Sequence, residues 1–230
     1  MISPLPLLAL FTHLATSTMS ANTTTTTIEP FNLSAKAGTD IWRKPPSTNV
    51  FNAAFYPSTL ATYPLKQFQR AKISFALPPS NELRRYDQAG LVLHLTKEGV
   101  ADNATKWIKT GIEFYTGKPF VATVGCDIWA DWSLVPMPEF VNGTQPAATI
   151  EARKEQDELG KSLWIYWIVR DEQGKEVERR PLREVNWFAA AEDEGWNVSI
   201  AGYVARPTTA GGNELLEAEF KEGLEIEVSK

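Results

Sequence analysis

Trp107-Ile108-Lys109-Thr110-Gly111-Ile112-Glu113-Phe114-Tyr115 is the stretch on which the reading of this chain turns. A β-strand sends successive side chains to opposite faces, so Ile108, Thr110, Ile112 and Phe114 fall on one side. Trp107, Lys109, Gly111, Glu113 and Tyr115 fall on the other. The first set is a core face. The second mixes an indole, an ammonium and a carboxylate, a combination that a purely structural strand does not need. Thr116-Gly117-Lys118-Pro119 then turns the chain back into residues 120–124, which predicts a hairpin.

The same period runs outward in both directions. Residues 70–77 (RAKISFAL) place Ile73, Phe75 and Leu77 on one face, and residues 89–95 (AGLVLHL) place Leu91, Leu93 and Leu95 together with His94 opposite. Residues 163–170 (LWIYWIVR) are nearly all apolar, which predicts a central strand covered on both faces. Further strands are predicted at 175–180, 184–188, 196–204, 215–221 and 224–228. Turn residues separate these runs every ten positions or so, the spacing of an all-β sandwich or barrel. The one helical candidate, residues 150–159, is short and charged, and is expected to be a surface loop or a single helical turn. Glu192-Asp193-Glu194 is expected in a solvated loop.

No linker or internal repeat interrupts the chain after Phe31, so residues 28–230 are expected to form one β-sandwich domain. Residues 1–27 are expected to be a disordered leader. Their apolar run, residues 5–14, is too short to span a bilayer, and no Lys or Arg precedes Lys36. The segment reads either as a weak signal peptide or as a spurious start ahead of Met19. Triplets of the form Asn-X-Ser/Thr begin at Asn22, Asn32, Asn103, Asn142 and Asn197 and matter only if the chain is secreted. The lone Cys126 points instead to the cytoplasm.

Composition narrows the function. The net charge is −5 and no dense Lys/Arg patch exists, so the phosphate neutralisation that nucleic-acid binding requires is missing. Two His and one Cys cannot build a four-ligand zinc site, and no phosphate-binding glycine loop, dinucleotide fingerprint or Gly-x-Ser-x-Gly elbow occurs. No cofactor or metal is expected, and Cys126 has no histidine partner to make it a nucleophile.

The candidate ligand-binding residues are Trp107, Lys109 and Glu113, joined by Asp131 and Trp132 from Trp129-Ala130-Asp131-Trp132-Ser133. An aromatic ring can stack on a sugar while charged groups hydrogen-bond its hydroxyls. The alternative for the strand is a solvated outer face with cross-strand charge pairs, and for Asp131 and Trp132 a structural corner. Retaining glycoside hydrolysis needs two carboxyls about 5 to 5.5 Å apart. Gly111 and Tyr115 occupy the positions two residues either side of Glu113, so a second acid must come from another strand.

Taken in order, YDQAGLVLHL (86–95), WIKTGIEFY (107–115), DWS (131–133), LWIYWIVR (163–170) and GYVARP (202–207) resemble an uncharacterised domain family that includes the fungal regulation-of-enolase proteins. The resemblance spans residues 51–230. It implies a concanavalin-A-like jelly-roll β-sandwich of the lectin/glucanase type, a fold that hosts binders and hydrolases alike. The Glu-x-Asp-x-x-Glu strand of the glucanases is incomplete: Glu155-Gln156-Asp157-Glu158 begins it, Gly160 stands where the last Glu belongs, and the context does not read as a strand. The resemblance therefore implies a non-catalytic, lectin-like binding or regulatory protein linked to carbohydrate metabolism. Its partner would be a saccharide or a metabolic enzyme, with no nucleic acid and no membrane span. A carbohydrate-active hydrolase using Glu113 as acid or base is the alternative.

Overall fold

The computed structural model describes residues 23–58, 61–137 and 143–230. In chain order its strands are β1 (Thr23–Ile28), β2 (Phe31–Ala35), β3 (Ile41–Lys44), β4 (Thr48–Phe51), β5 (Ala54–Tyr56), β6 (Thr62–Pro64), β7 (Phe68–Ala76), β8 (Gln88–Thr96) and β9 (Lys106–Tyr115). They continue as β10 (Lys118–Cys126), β11 (Ala130–Pro136), β12 (Ala147–Asp157), β13 (Gly160–Arg170) and β14 (Glu176–Val185). After helix α1 (Trp187–Asp193) come β15 (Asn197–Ala205), β16 (Leu216–Phe220) and β17 (Leu224–Ser229). Residues 1–22, with the apolar run, Met19 and Asn22, lie outside the described residues, as does Asn142.

Two antiparallel sheets build the jelly-roll sandwich. An eight-stranded sheet runs β1-β17-β7-β12-β13-β14, with β16 joining β2 to β7. A seven-stranded sheet runs β11-β10-β9-β8-β15-β5, with β6 also paired to β15. Ile73 and Phe75 of β7, Leu91 and Leu93 of β8, Ile108 and Ile112 of β9 and Ile165 of β13 belong to the core between the sheets. On the same face, the Thr110 and Thr123 hydroxyls hydrogen-bond each other at 2.9 Å, which allows both to be buried. The hairpin of β9 and β10 forms as the sequence indicates, around Thr116 (φ 50°) and Gly117 (φ 78°).

The outer face of the seven-stranded sheet carries a second, smaller core. Val92, Trp107, Val124, Cys126, Ala201 and Tyr203 project there and are packed against Ile41. The separate hairpin of β3 and β4 provides Ile41 and covers this end of the face. Only part of the face is covered, and that positions the site described below.

Three segments depart from the sequence reading. Residues 150–159, expected as a loop or helical turn, lie mostly in β12, paired on both sides with β7 and β13. Its Ile150 and Ala152 enter the core while Glu151 and Arg153 take the other face. The charges that argued against a strand are matched across it: Glu151 is ion-paired with Arg70, Arg153 and Arg179. Glu155, whose context did not read as a strand, belongs to β12 and accepts the Tyr166 hydroxyl at 2.9 Å. Second, Thr23–Thr27, expected to be disordered, pair with β17 as the edge strand β1; β-branched side chains suit a strand even when repeated. Third, the strand expected at 184–188 ends at Val185, and α1 follows, with Phe188 and Ala191 buried in the main core. Glu192 does not lie in a solvated loop: its carboxylate pairs with Lys154 and Lys161.

Gly90 and Gly111 stand opposite each other where β8 and β9 approach closely. A Cβ on Gly111 would lie 2.0 Å from the Ala89 carbonyl oxygen, a backbone atom that cannot rotate away. Gly111→Ala is expected to destabilise the fold by at least about 2 kcal/mol. Gly125→Ala, whose added carbon meets Trp187 at an ordinary 3.7 Å, is expected to stay within about 0.5 kcal/mol of wild type. Urea denaturation of the two variants measures both.

Candidate functional site

Where the β3–β4 hairpin leaves the outer face uncovered, a cavity of about 680 Å³ opens. Its floor is Gln88 of β8 with Lys109 and Glu113 of β9. Trp42, Lys44 and Asp40 come from the hairpin and the residue leading into it, Trp132 from β11, and Tyr86 from the turn before β8. The segment after β15, residues 207–210, completes the rim.

The polar floor is wired from one end. The Lys109 ammonium donates to Gln88 Oε1 at 2.6 Å and stands 3.6 Å from Asp40 Oδ1. Gln88 Nε2 donates to Asp40 Oδ1 and to the Tyr86 carbonyl, both at 3.2 Å. Asp40 Oδ1 also accepts the Ile41 N–H at 2.7 Å. Glu113, at the other end, is 6% exposed and its carboxyl has no hydrogen-bond partner among the described residues. Burial pushes that carboxyl up to about 7; the Lys109 charge works against the rise and the Asp40 charge adds to it.

The walls are aromatic. Trp42 and Trp132 meet edge to face with ring centres 6.1 Å apart, and Tyr86 and Tyr115 lie 6.5 and 5.4 Å from Trp132. The Lys109 ammonium stands 5.8 Å from the centre of the Trp42 ring. The Trp132 indole N–H is buried with no partner among the described residues.

Tyr86 adopts φ 71°, a left-handed conformation that a bulky residue rarely takes. Its N–H donates to the Phe114 carbonyl at 2.7 Å, while the Arg84 N–H donates to Asp87 Oδ2 at 2.8 Å. Asp87 is fully buried and paired with Arg206, which donates from Nε at 3.1 Å and from Nη2 at 2.7 Å. Arg206 also donates from Nη1 to the Glu214 carbonyl and from its N–H to Thr39 Oγ1. Arg206 thus ties together the three segments that frame the cavity, two through its guanidinium and one through its backbone N–H.

Of the residues singled out by sequence, Lys109, Glu113 and Trp132 line the cavity. Trp107 does not. Its face was read correctly, but it is 1% exposed in the second core, where Ile41 of the hairpin is also buried. Asp131 is also absent, because neighbours on a strand point apart. Its side chain, 83% exposed, lies in a separate cleft with Arg183 and Trp187. The sequence reading missed Asp40, Trp42, Lys44, Tyr86 and Gln88. Tyr86 and Gln88 stand in the YDQAGLVLHL run but on no readable face, and nothing local marks the hairpin as covering β9.

Asp40 is the other carboxyl that lines the cavity, and it is engaged by Lys109, Gln88 and the Ile41 N–H. Among the described residues no three His, Cys, Asp or Glu side chains converge as a metal site, and no helix is long and apolar enough to cross a membrane.

The raised Glu113 value has a measurable consequence. Between pH 4.5 and about 7 the folded protein holds a proton that an unfolded glutamate has already lost. Stability therefore falls as pH rises through that window and levels off above it. Glu113→Gln is expected to match wild type below the window and to be more stable above it, by on the order of 3 kcal/mol. Thermal melts of both proteins across the window check this, and parallel curves would show that Glu113 ionises as an ordinary surface glutamate.

Residues 19–222 match the family described as "Protein of unknown function (DUF1349)". An uncharacterized protein of Emericella nidulans is 44% identical over 185 residues, covering 80% of each chain. Among solved structures, a functionally unknown protein from Saccharomyces cerevisiae aligns with TM-score 0.49 and 16% identity, over 88% of this chain and 95% of that one. Peanut lectin aligns with TM-score 0.47 and 10% identity, over 91% and 98%. None of these descriptions mentions enolase, so that part of the resemblance remains an expectation.

Proposed function

For a chain that belongs to the DUF1349 family of unknown function, we propose a non-catalytic, lectin-like role in which the cavity holds a saccharide. The observation that carries this reading is the pairing of aromatic walls with a polar floor in one cavity. Sugar rings offer apolar C–H faces to Trp42 and Trp132. Their hydroxyls both donate and accept, which matches a floor that holds the Lys109 ammonium, the Gln88 amide and the Glu113 carboxyl. The cavity size falls within the range of small-molecule sites.

The arrangement of the carboxyls supports the non-catalytic part of this reading. Asp40 is committed to its own partners, and no acid among the described residues hydrogen-bonds Glu113. One observation favours the hydrolase as a second reading: a carboxyl held at about 7 is suited to general acid–base work. A glycan array followed by calorimetry on retained glycans separates the readings. Trp132→Ala and Trp42→Ala are each expected to weaken binding at least about tenfold, equal to about 1.4 kcal/mol, with the fold intact by circular dichroism. Retention of no glycan at millimolar concentration sinks the proposal. Release of reducing ends by wild type but not by Glu113→Gln transfers it to the hydrolase.

A further inference from the structure

A charge taken out of water needs a compensating partner, so buried carboxylates in folded proteins are normally paired. Glu113 has no such partner. It is 6% exposed and lines the cavity floor, and no side chain among the described residues hydrogen-bonds or ion-pairs with its carboxyl. Each neighbour that could serve is engaged elsewhere or unsuited. Lys109, on the same strand, donates to Gln88 and pairs with Asp40. Gln88, across from Glu113 on β8, accepts from Lys109 and donates to Asp40 and the Tyr86 carbonyl. Phe120, across on β10, is apolar. Tyr203 of β15 is buried, and burial together with the Glu113 and Asp40 charges holds its hydroxyl un-ionised. Lys44, the other ammonium of the cavity, is exposed at the rim, where water screens its charge.

The floor leaves the carboxyl within reach. Gly111 lies between Lys109 and Glu113 on the open face, in register with Gly90 on one side and Ala122 on the other. None of the three projects more than a methyl group, so that row does not block the approach of a ligand. Trp42, Trp132 and Tyr86 stand in the walls, and aromatic rings attract ammonium groups. The net charge of −5 also draws cations toward the chain. An acidic sugar fits badly, since its carboxylate would meet Asp40 and Glu113 where Lys109 is already paired.

Resting on the saccharide reading, we propose that the ligand is an amino sugar whose ammonium group is the missing partner of Glu113. Without a ligand, burial holds the carboxyl at about 7, so it keeps its proton under mildly acidic conditions. An ammonium favours the ionised carboxyl. Binding therefore transfers the proton from Glu113 to the solvent and leaves an ion pair on the floor. A neutral sugar hydrogen-bonds to either form of the carboxyl and drives no such release.

The test is calorimetry at about pH 6, below the Glu113 value, with three β-1,4-linked disaccharides that differ only at the second ring carbon. The first is built of glucosamine, the second of N-acetylglucosamine and the third of glucose. The glucosamine disaccharide is expected to bind wild type at least about tenfold tighter than the glucose one, the scale of a charge-assisted contact. Its binding heat is expected to change with the ionisation enthalpy of the buffer in the sense of proton release. Glu113→Gln is expected to abolish both the preference and the proton release. If Glu113 only supports the fold, the variant weakens the three sugars alike and their ratios persist, which overturns the proposal. If the glucose disaccharide binds wild type as tightly as the glucosamine one, the amino-sugar assignment is wrong and the saccharide reading stands. Failure of all three to bind also overturns the assignment; the glycan array then decides the wider reading, which survives if another glycan is retained and falls if none is.

Discussion

The cavity depends on the ion pair between Arg206 and Asp87. Both side chains are buried, so each charge has lost its water and keeps only its protein partners. Breaking such a pair by removing one member typically costs about 3 to 5 kcal/mol, because the other charge is left without compensation. The pair is therefore strict about geometry: Asp87 must sit where the guanidinium reaches it, and this carries Tyr86 into its left-handed conformation. The strained backbone lies at the cavity rim, where the surrounding contacts over-determine it. The Arg206 backbone N–H holds the chain near Thr39, just before Asp40, and its guanidinium holds it near Glu214, beyond the 207–210 rim. The rim is made of loops, but loops clamped to one residue.

The β3–β4 hairpin adds a second constraint. One face of the seven-stranded sheet must meet something other than the opposite sheet, and its apolar residues must still be covered. The hairpin covers the Trp107 end through Ile41 and leaves the Glu113 end open. The result is a steep change of environment along one strand, from a sealed indole to a ligand-sized space. Glu113 sits where burial is deep enough to hold its proton near neutral pH but open enough to face the cavity. Lys109, on the same strand, donates to Gln88.

Charge is handled differently on the eight-stranded sheet. Glu151 is enclosed by three arginines from its own strand and from β7 and β14. Arg70 also reaches Glu225 and Glu227 of β17. This lattice runs from strand to strand, so no one-dimensional window displays it, and a strand as charged as β12 reads locally as a loop. Glu192 shows the same effect in α1, where an acidic cluster gains two lysines from β12 and β13. In both cases the compensating charges lie at least 28 residues away along the chain, apart from Arg153.

What the sequence by itself determined was alternation. Period two in β7, β8 and β9 specifies strands, and it separates Ile108 and Ile112 from Lys109 and Glu113 because the pleat leaves no other choice. From that follow the all-β class, the β9–β10 hairpin and the face on which chemistry would lie. Only the tertiary structure decided which part of that face is open. Trp107 and Glu113 share a face by period but differ in fate, since covering depends on a hairpin more than 50 residues earlier in the chain. Asp131 and Trp132 are sequence neighbours that the pleat sends into different clefts. Alternation is a local property of the backbone, whereas enclosure is set by what packs against it.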